Sequence, residues 1–137
     1  MASCASHKPF DSFYNDHKKE VKLAVTVPKY IANVFIPKEE KPTVRRFTKG
    51  MKRIKVLVDE EYGTQLTRDF DSFIKAEGYN PYLYINTKGE RIQLLVSEDE
   101  NSINEVVIRS ESEDMTVILA LQGQMQKDRF ESLLSED

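Results

Sequence analysis

The sequence predicts an α+β domain in which an antiparallel sheet of about five to six strands packs helices on one face. Its 137 residues are 39% hydrophobic and 31% charged, which fits one globular domain with its own core. Short apolar segments typical of strands recur along the chain, and an amphipathic helical pattern spans residues 64–77. We expect residues 1–9 to form a flexible tether and residues 10–137 to form the single domain.

The first third of the domain alternates helix and strand patterns. Residues 10–19 begin with two phenylalanines and predict a short helix. Residues 21–27 carry an apolar side chain at every second position, the period of a half-buried strand, and Pro28 ends it. Residues 43–50 fit a helix that stops at Gly50. Residues 54–58 predict a second strand with apolar side chains on both faces.

The clearest helix runs over residues 64–77. Leu66, Phe70, Phe73 and Ile74 fall at i, i+4, i+7 and i+8, which places them in one apolar stripe. We expect this stripe to be buried against the sheet. The side chains expected to face water are Arg68, Asp71 and Lys75. Gly78 suits the residue just beyond the helix end.

Four further strands and a closing helix are predicted after Gly78. The strands are expected at residues 82–87, 91–97, 104–110 and 115–121, separated by turns at 86–90, 98–101 and 110–114. Segment 115–121 is apolar at almost every position, which indicates a central strand ended by Gly123. The closing helix carries Phe130, Leu133 and Leu134 on its expected buried face.

The tetrapeptide Phe-Asp-Ser-Phe occurs twice, at residues 10–13 and 70–73, each time in a predicted helix. The same offset of 60 residues aligns predicted strand 21–27 with 81–87. A duplicated helix–strand unit explains this spacing. Chance recurrence of a short motif in an α+β chain also explains it.

No motif for catalysis, cofactor binding or metal binding is present. The five glycines are isolated, so no phosphate-binding loop is formed, and the acidic clusters at 59–61 and 98–101 lack the order of a calcium-binding loop. His7 and His17 have no partner in a nucleophile signature, and we expect His17 to be a solvent-exposed residue at a helix end. We therefore assign no catalytic, cofactor-binding or metal-binding residues, and expect a protein that is not an enzyme and needs no cofactor.

Basic residues are concentrated in one segment of an otherwise acidic chain. Residues 38–55 contain eight lysines and arginines and two glutamates, whereas residues 58–137 carry a net charge of −11. The candidate contact residues for an anionic surface are Arg45, Arg46, Lys49, Lys52 and Arg53. An anionic membrane surface or an acidic protein would fit them, and a solvated helix face is the alternative. The acidic balance of the whole chain argues against nucleic acid as the partner.

Cys4 is the only cysteine, which excludes an intramolecular disulfide. It lies between small residues and is followed by a polar stretch. The order Ala2-Ser3-Cys4 is similar to the end of a bacterial lipoprotein signal, in which the cysteine is acylated. An ordinary free thiol is the other interpretation.

The pattern of strands in the second half resembles a known family. Ile103-Asn104-Glu105-Val106-Val107-Ile108 is followed by an acidic turn, by the apolar segment 115–121, by Gly123 and by a short helix. This order resembles the domain-of-unknown-function family 4252, small exported or lipid-anchored proteins of Bacteroidetes-type bacteria. The resemblance covers about residues 10–134. It implies an exported protein of the cell envelope with a lipid-modified cysteine, and it supplies no activity or site residues.

We therefore expect a non-enzymatic cell-envelope protein, periplasmic or anchored to the outer membrane, that binds a partner or serves as a structural module and is tethered through Cys4. The alternative function is a ligand-binding protein or hydrolase that uses carboxylates brought together in a cleft.

Overall fold

The computed structural model describes residues 9–28, 51–60 and 65–135. Helices and strands follow in the order α1 (Phe10–His17), β1 (Leu23–Pro28), β2 (Met51–Asp59), α2 (Gln65–Glu77), β3 (Asn80–Thr87), β4 (Glu90–Glu98), β5 (Ser102–Glu111), β6 (Thr116–Gln126) and α3 (Lys127–Ser135). The expected α+β class is confirmed. The predicted helix at 43–50 lies outside the described residues.

One sheet contains the six strands of the described residues, in the order β1-β2-β6-β5-β4-β3, and every neighbouring pair is antiparallel. Strand β6 lies inside the sheet, as its continuous apolar sequence predicts. The hairpin between β3 and β4 turns through Gly89, whose φ of +71° is accessible to glycine at little cost. Among the described strands, β1 and β3 are the two edges.

The two faces of the sheet carry separate cores. On one face, which we call the helix-pair face, α1 and α2 pack on Leu57, Leu95, Val107 and Ile118. On the opposite face, which we call the α3 face, Phe130 packs on side chains such as Leu94, Val96, Val106 and Leu121. The expectation that all helices share one face therefore holds for α1 and α2 but not for α3. Alternate residues of a strand point to opposite faces, so a strand apolar on both faces can bury both.

Helix α2 buries the predicted stripe. Leu66 and Phe70 are buried, and Phe73 and Ile74 pack partly buried against the same core. Arg68, Asp71 and Lys75 are exposed, as expected. Phe73 lies at the centre of an aromatic cluster, with its ring centroid 4.9 Å from that of Phe13 in α1. The aromatic residues of α1 and α2 thus join the two helices to each other as well as to the sheet.

Two predictions about strands were wrong in detail. Strand β6 does not end at Gly123 but continues to Gln126, since Gly123 pairs with Met51 and Met125 pairs with Ile103. In β1 the apolar stripe faces away from the helix pair, so that Leu23 and Val25 are exposed while Ala24 packs on the core. Periodicity showed which side chains share a face but could not show which face α1 and α2 cover.

Both Phe-Asp-Ser-Phe motifs lie in helices, and an edge strand follows each of these helices. Helix α1 precedes β1, and α2 precedes β3, at opposite edges of the sheet. Each edge strand then pairs with the strand that follows it, β2 or β4. A duplicated helix–strand–strand unit would give this arrangement.

Candidate functional site

A carboxylate is buried beneath the first turn of α1. Glu105 of β5 has no exposed surface, and both of its carboxylate oxygens accept hydrogen bonds. The donors are the backbone N–H of Phe10, at 3.3 Å, the amide of Gln122, at 2.8 Å, and the hydroxyl of Tyr79. The negative charge also lies at the N-terminus of α1, where the helix dipole favours an anion. The arrangement fastens α1 to two central strands.

Burial has the largest effect on the ionisation of Glu105. Loss of solvent raises the pKa of this carboxyl from 4.5 to about 7, although its three hydrogen-bond donors oppose the rise. Tyr79 is affected in the same direction, since burial and the nearby carboxylate raise the pKa of its hydroxyl far above its ordinary value. Burial thus brings the pKa of the Glu105 carboxyl close to neutral pH at a site closed to solvent.

The aspartate of each repeated motif binds a cation of the sheet. Asp11 lies 3.3 Å from the Nζ of Lys55, and Asp71 lies 2.5 Å from a guanidinium nitrogen of Arg109. Lys55 also lies over the ring of Tyr14 and Arg109 over the ring of Phe70, 4.6 and 5.0 Å from the ring centroids. The two motifs thus hold their helices to the sheet in the same way. Lys55, counted with the basic segment in the sequence, is turned inward and is unavailable to a partner.

A shallow groove of about 330 Å³ separates the exposed sides of α1 and α2. Its polar lining includes Ser12, Asp16, His17, Asp69 and Ser72. His17 is 9% exposed, which corrects the expectation of a solvent-exposed histidine, because its ring packs 4.3 Å from that of Phe13. Its Nε2 lies 3.6 Å from an Asp69 oxygen. In the described part of the chain, no three histidine, cysteine, aspartate or glutamate side chains form a group that could hold a metal ion.

Only two of the five predicted contact residues for an anionic surface lie among the residues that the structure describes. Lys52 and Arg53 belong to β2, where both are exposed near a bulge in the pairing with β6. They therefore lie in a strand. Arg45, Arg46, Lys49 and the lipidation candidate Cys4 lie outside the described residues. The described helices include none long and apolar enough to cross a bilayer.

Strand β3 presents apolar side chains at an edge of the sheet. Leu83, Tyr84 and Ile85 are 43%, 57% and 38% exposed, and no residue of the strand from Asn80 to Thr87 is charged. Among the described strands, β3 pairs only with β4, so none of these strands pairs with the backbone groups on its outer side. Natural sheets usually protect such an edge with charged residues. Strand β3 carries no such protection.

Apolar side chains continue from this edge across the α3 face. Leu83 and Ile85 pair with Leu94 and Ile92 of β4, so all four lie on the side of the sheet opposite to α1 and α2. The far edge shows the same character, with Leu23 of β1 50% exposed. Isolated exposed apolar residues are ordinary, but a contiguous set beside an open edge is typical of an interaction surface.

The sequence matches one protein family. A family model described as Domain of unknown function (DUF4252) matches residues 14–133. The chain belongs to this family. The matched region runs from α1 to α3 and contains β3 and Glu105, and it confirms the family resemblance of the sequence. No curated protein and no solved structure matches the chain.

Sequence reasoning missed the two most distinctive features, the buried Glu105 and the open edge of β3. A signal for the first was present, because Glu105 interrupts an apolar segment that continues through Val106 and Val107. A charged residue inside a buried strand requires a local set of donors. The second could not be found from the sequence, since the position of a strand in a sheet depends on its pairing.

Proposed function

We propose that this protein is a non-enzymatic binding module of the cell envelope that contacts a protein partner through the outer edge of β3. The observation that carries the proposal is the exposure of Leu83, Tyr84 and Ile85 on a charge-free edge strand. An extended partner strand would satisfy the unpaired backbone groups of this edge and cover its apolar side chains.

Tethering through Cys4 completes the proposal. The small residues before Cys4 and the polar stretch after it support acylation, and residues up to Lys8 would serve as a spacer. Two signals are commonly needed for stable membrane attachment of a lipidated protein, so the basic segment would add to the anchor. A module held at the membrane presents its binding edge to other envelope proteins at a high local concentration.

Crosslinking in cells tests the contact surface. A photoreactive phenylalanine analogue replaces Tyr84 in the full-length precursor, and a matched protein carries it at Asn15, an exposed position in α1. Irradiation should give a discrete adduct from position 84 and none from position 15. Adducts from neither position, or equal adducts from both, would contradict the proposal.

A second arm of this experiment tests the tether. The precursor with its native leader should fractionate with membranes, and Cys4→Ala should release it into the soluble fraction. If the two proteins partition equally, the tether is wrong even where the crosslink is found.

A further inference from the structure

The outer edge of β3 is complementary to itself. We propose that it pairs antiparallel with the same edge of a second copy of this chain, so that two six-stranded sheets join into one of twelve strands. This inference rests on the proposed function, since it uses the same edge and names the partner. The argument comes from the order of side chains along the strand.

A twofold axis at Tyr84 matches the side chains of the two strands. In this register Tyr84 lies opposite the partner's Tyr84, and Leu83 lies opposite the partner's Ile85. Cβ atoms of directly opposite residues are about 4.5–5.5 Å apart, so the aliphatic pair forms twice on the α3 face and the two tyrosines meet on the helix-pair face. Tyr82 lies in the bulge of β3 and packs on Phe130 of α3, so it is outside this register. Three residues of each copy, 83–85, would therefore pair regularly between the bulge at one end of β3 and the turn at the other.

Charge is complementary at both ends of this register. Lys88 follows β3 in the turn and is exposed. The twofold axis brings it towards the end of the partner's β3, where Glu98 of β4 accepts a hydrogen bond from Asn80 and lies 3.6 Å from Lys127 Nζ. Asp99 and Glu100 follow Glu98, so each Lys88 would be attracted to an acidic end of the other copy, and this attraction would act twice.

The absence of charge within β3 favours a second copy over an unrelated peptide. A twofold interface sets each side chain near its own kind, so a charged residue at the centre would face a like charge. Strand β3 carries none from Asn80 to Thr87. The net charge of the whole chain is only −3, which adds little long-range repulsion between copies.

The contact expected from one strand pair is small. Interfaces below about 1,200 Å² of total buried surface are typical of weak or transient complexes. The free chain should therefore dimerise reversibly, whereas copies anchored in one membrane would meet at a higher effective concentration.

Sedimentation velocity over a range of about 1 µM to 1 mM tests the pairing. The full chain is used with reductant, which prevents crosslinking through Cys4. Wild type should shift from monomer to dimer as the concentration rises. Tyr84→Lys and Tyr84→Glu should each weaken dimerisation at least about tenfold, since each sets like charges opposite one another. An equimolar mixture of the two variants should recover a heterodimer.

A matched control is Val25→Lys, which places a charge on the exposed side of the other edge strand. It should dimerise as wild type does. Circular dichroism and thermal unfolding should show that all variants fold, as expected for substitutions at exposed positions.

Four results would overturn the inference: a wild-type monomer at every concentration, charge variants that dimerise like wild type, a mixture that stays monomeric, or loss of the dimer in Val25→Lys. A monomeric wild type together with a crosslink from position 84 to a different protein would reject self-pairing and leave the proposed function intact. A folded, dimeric wild type with no crosslink in cells would reject the proposed function instead.

Discussion

At the scale of single residues, Glu105 is the buried carboxyl that binds the first turn of α1. Its carboxylate is enclosed by Tyr79, Gln122 and the backbone of Phe10, and it has no exposed surface. The alternative function, a hydrolase that uses carboxylates in a cleft, needs a carboxyl that has a raised pKa and that substrate can reach. Glu105 has the raised pKa but is closed to solvent, so its contacts fit a structural role.

The raised pKa of Glu105 predicts a pH-dependent stability. A carboxyl whose pKa is about 7 in the folded state and 4.5 when unfolded binds more protons in the folded state between these values. Its stabilising contribution is therefore complete below pH 4.5 and is lost as the pH rises through 7. Relative to Glu105→Gln, the unfolding free energy of wild type should fall by up to about 3 kcal/mol between pH 4.5 and pH 8.

Urea unfolding at several pH values measures this difference. Glu100→Gln, at an exposed position, is the control and should follow wild type throughout. Parallel curves for wild type and Glu105→Gln would show that the carboxyl does not titrate differently in the two states.

At the scale of elements, the packing of α2 followed from its sequence and the packing of β1 did not. The buried stripe of α2 was predicted correctly because the helical period places its apolar side chains on one side and its polar side chains on the other. Strand β1 offers apolar residues at alternate positions too, yet Leu23 and Val25 face away from the helix pair. Which face a strand presents to a helix depends on its register with the neighbouring strand, and no local pattern fixes that register.

The other differences have the same origin. Strand β6 passes through Gly123 because β2 and β5 continue to pair with it, which outweighs the weak strand preference of glycine. Lys55 turns inward because Asp11 and Tyr14 offer it an ion pair and an aromatic face. Both outcomes depend on residues far away in the chain.

Truncation of Phe70 tests the packing of α2. This side chain is fully buried and its ring lies 5.7 Å from that of Phe13 and under the guanidinium of Arg109. Phe70→Ala should lower the unfolding free energy by about 3–5 kcal/mol, because it removes apolar contacts and leaves a cavity. Lys75→Ala, on the exposed side of the same helix, should change it by less than about 0.5 kcal/mol. A loss below about 1 kcal/mol for Phe70→Ala would contradict the packing.

At the scale of the whole molecule, charge is divided along the chain. Residues 1–57 carry a net charge of +8 and residues 58–137 a net charge of −11. Folding brings the two parts into contact, because β2 pairs with β6. Within the first part, the charge of Lys55 is offset by Asp11. Lys52 and Arg53 stay exposed. Together with Arg45, Arg46 and Lys49 they remain our proposed contact with an anionic surface.

Vesicle co-sedimentation tests that contact. The soluble chain should bind vesicles containing anionic lipid at low salt and bind less at physiological salt, where charges are screened over about 8 Å. Changing Arg45, Arg46 and Arg53 to glutamate should abolish binding, since each basic residue contributes about 1 kcal/mol near such a surface. The control changes Lys18, Lys75 and Lys88 to glutamate, which gives the same total charge. Equal binding by both triple variants would show that only net charge matters.

The central claim is that the outer edge of β3 is open and pairs with another strand. Hydrogen exchange of the full chain, compared at low and high protein concentration, measures this most directly. Backbone amides of residues 83–85 that point away from β4 should exchange more slowly at high concentration, those of β1 should not change, and Tyr84→Glu should remove the effect. Exchange of these outward amides that is already slow in the dilute chain, or that is independent of concentration, would contradict the account.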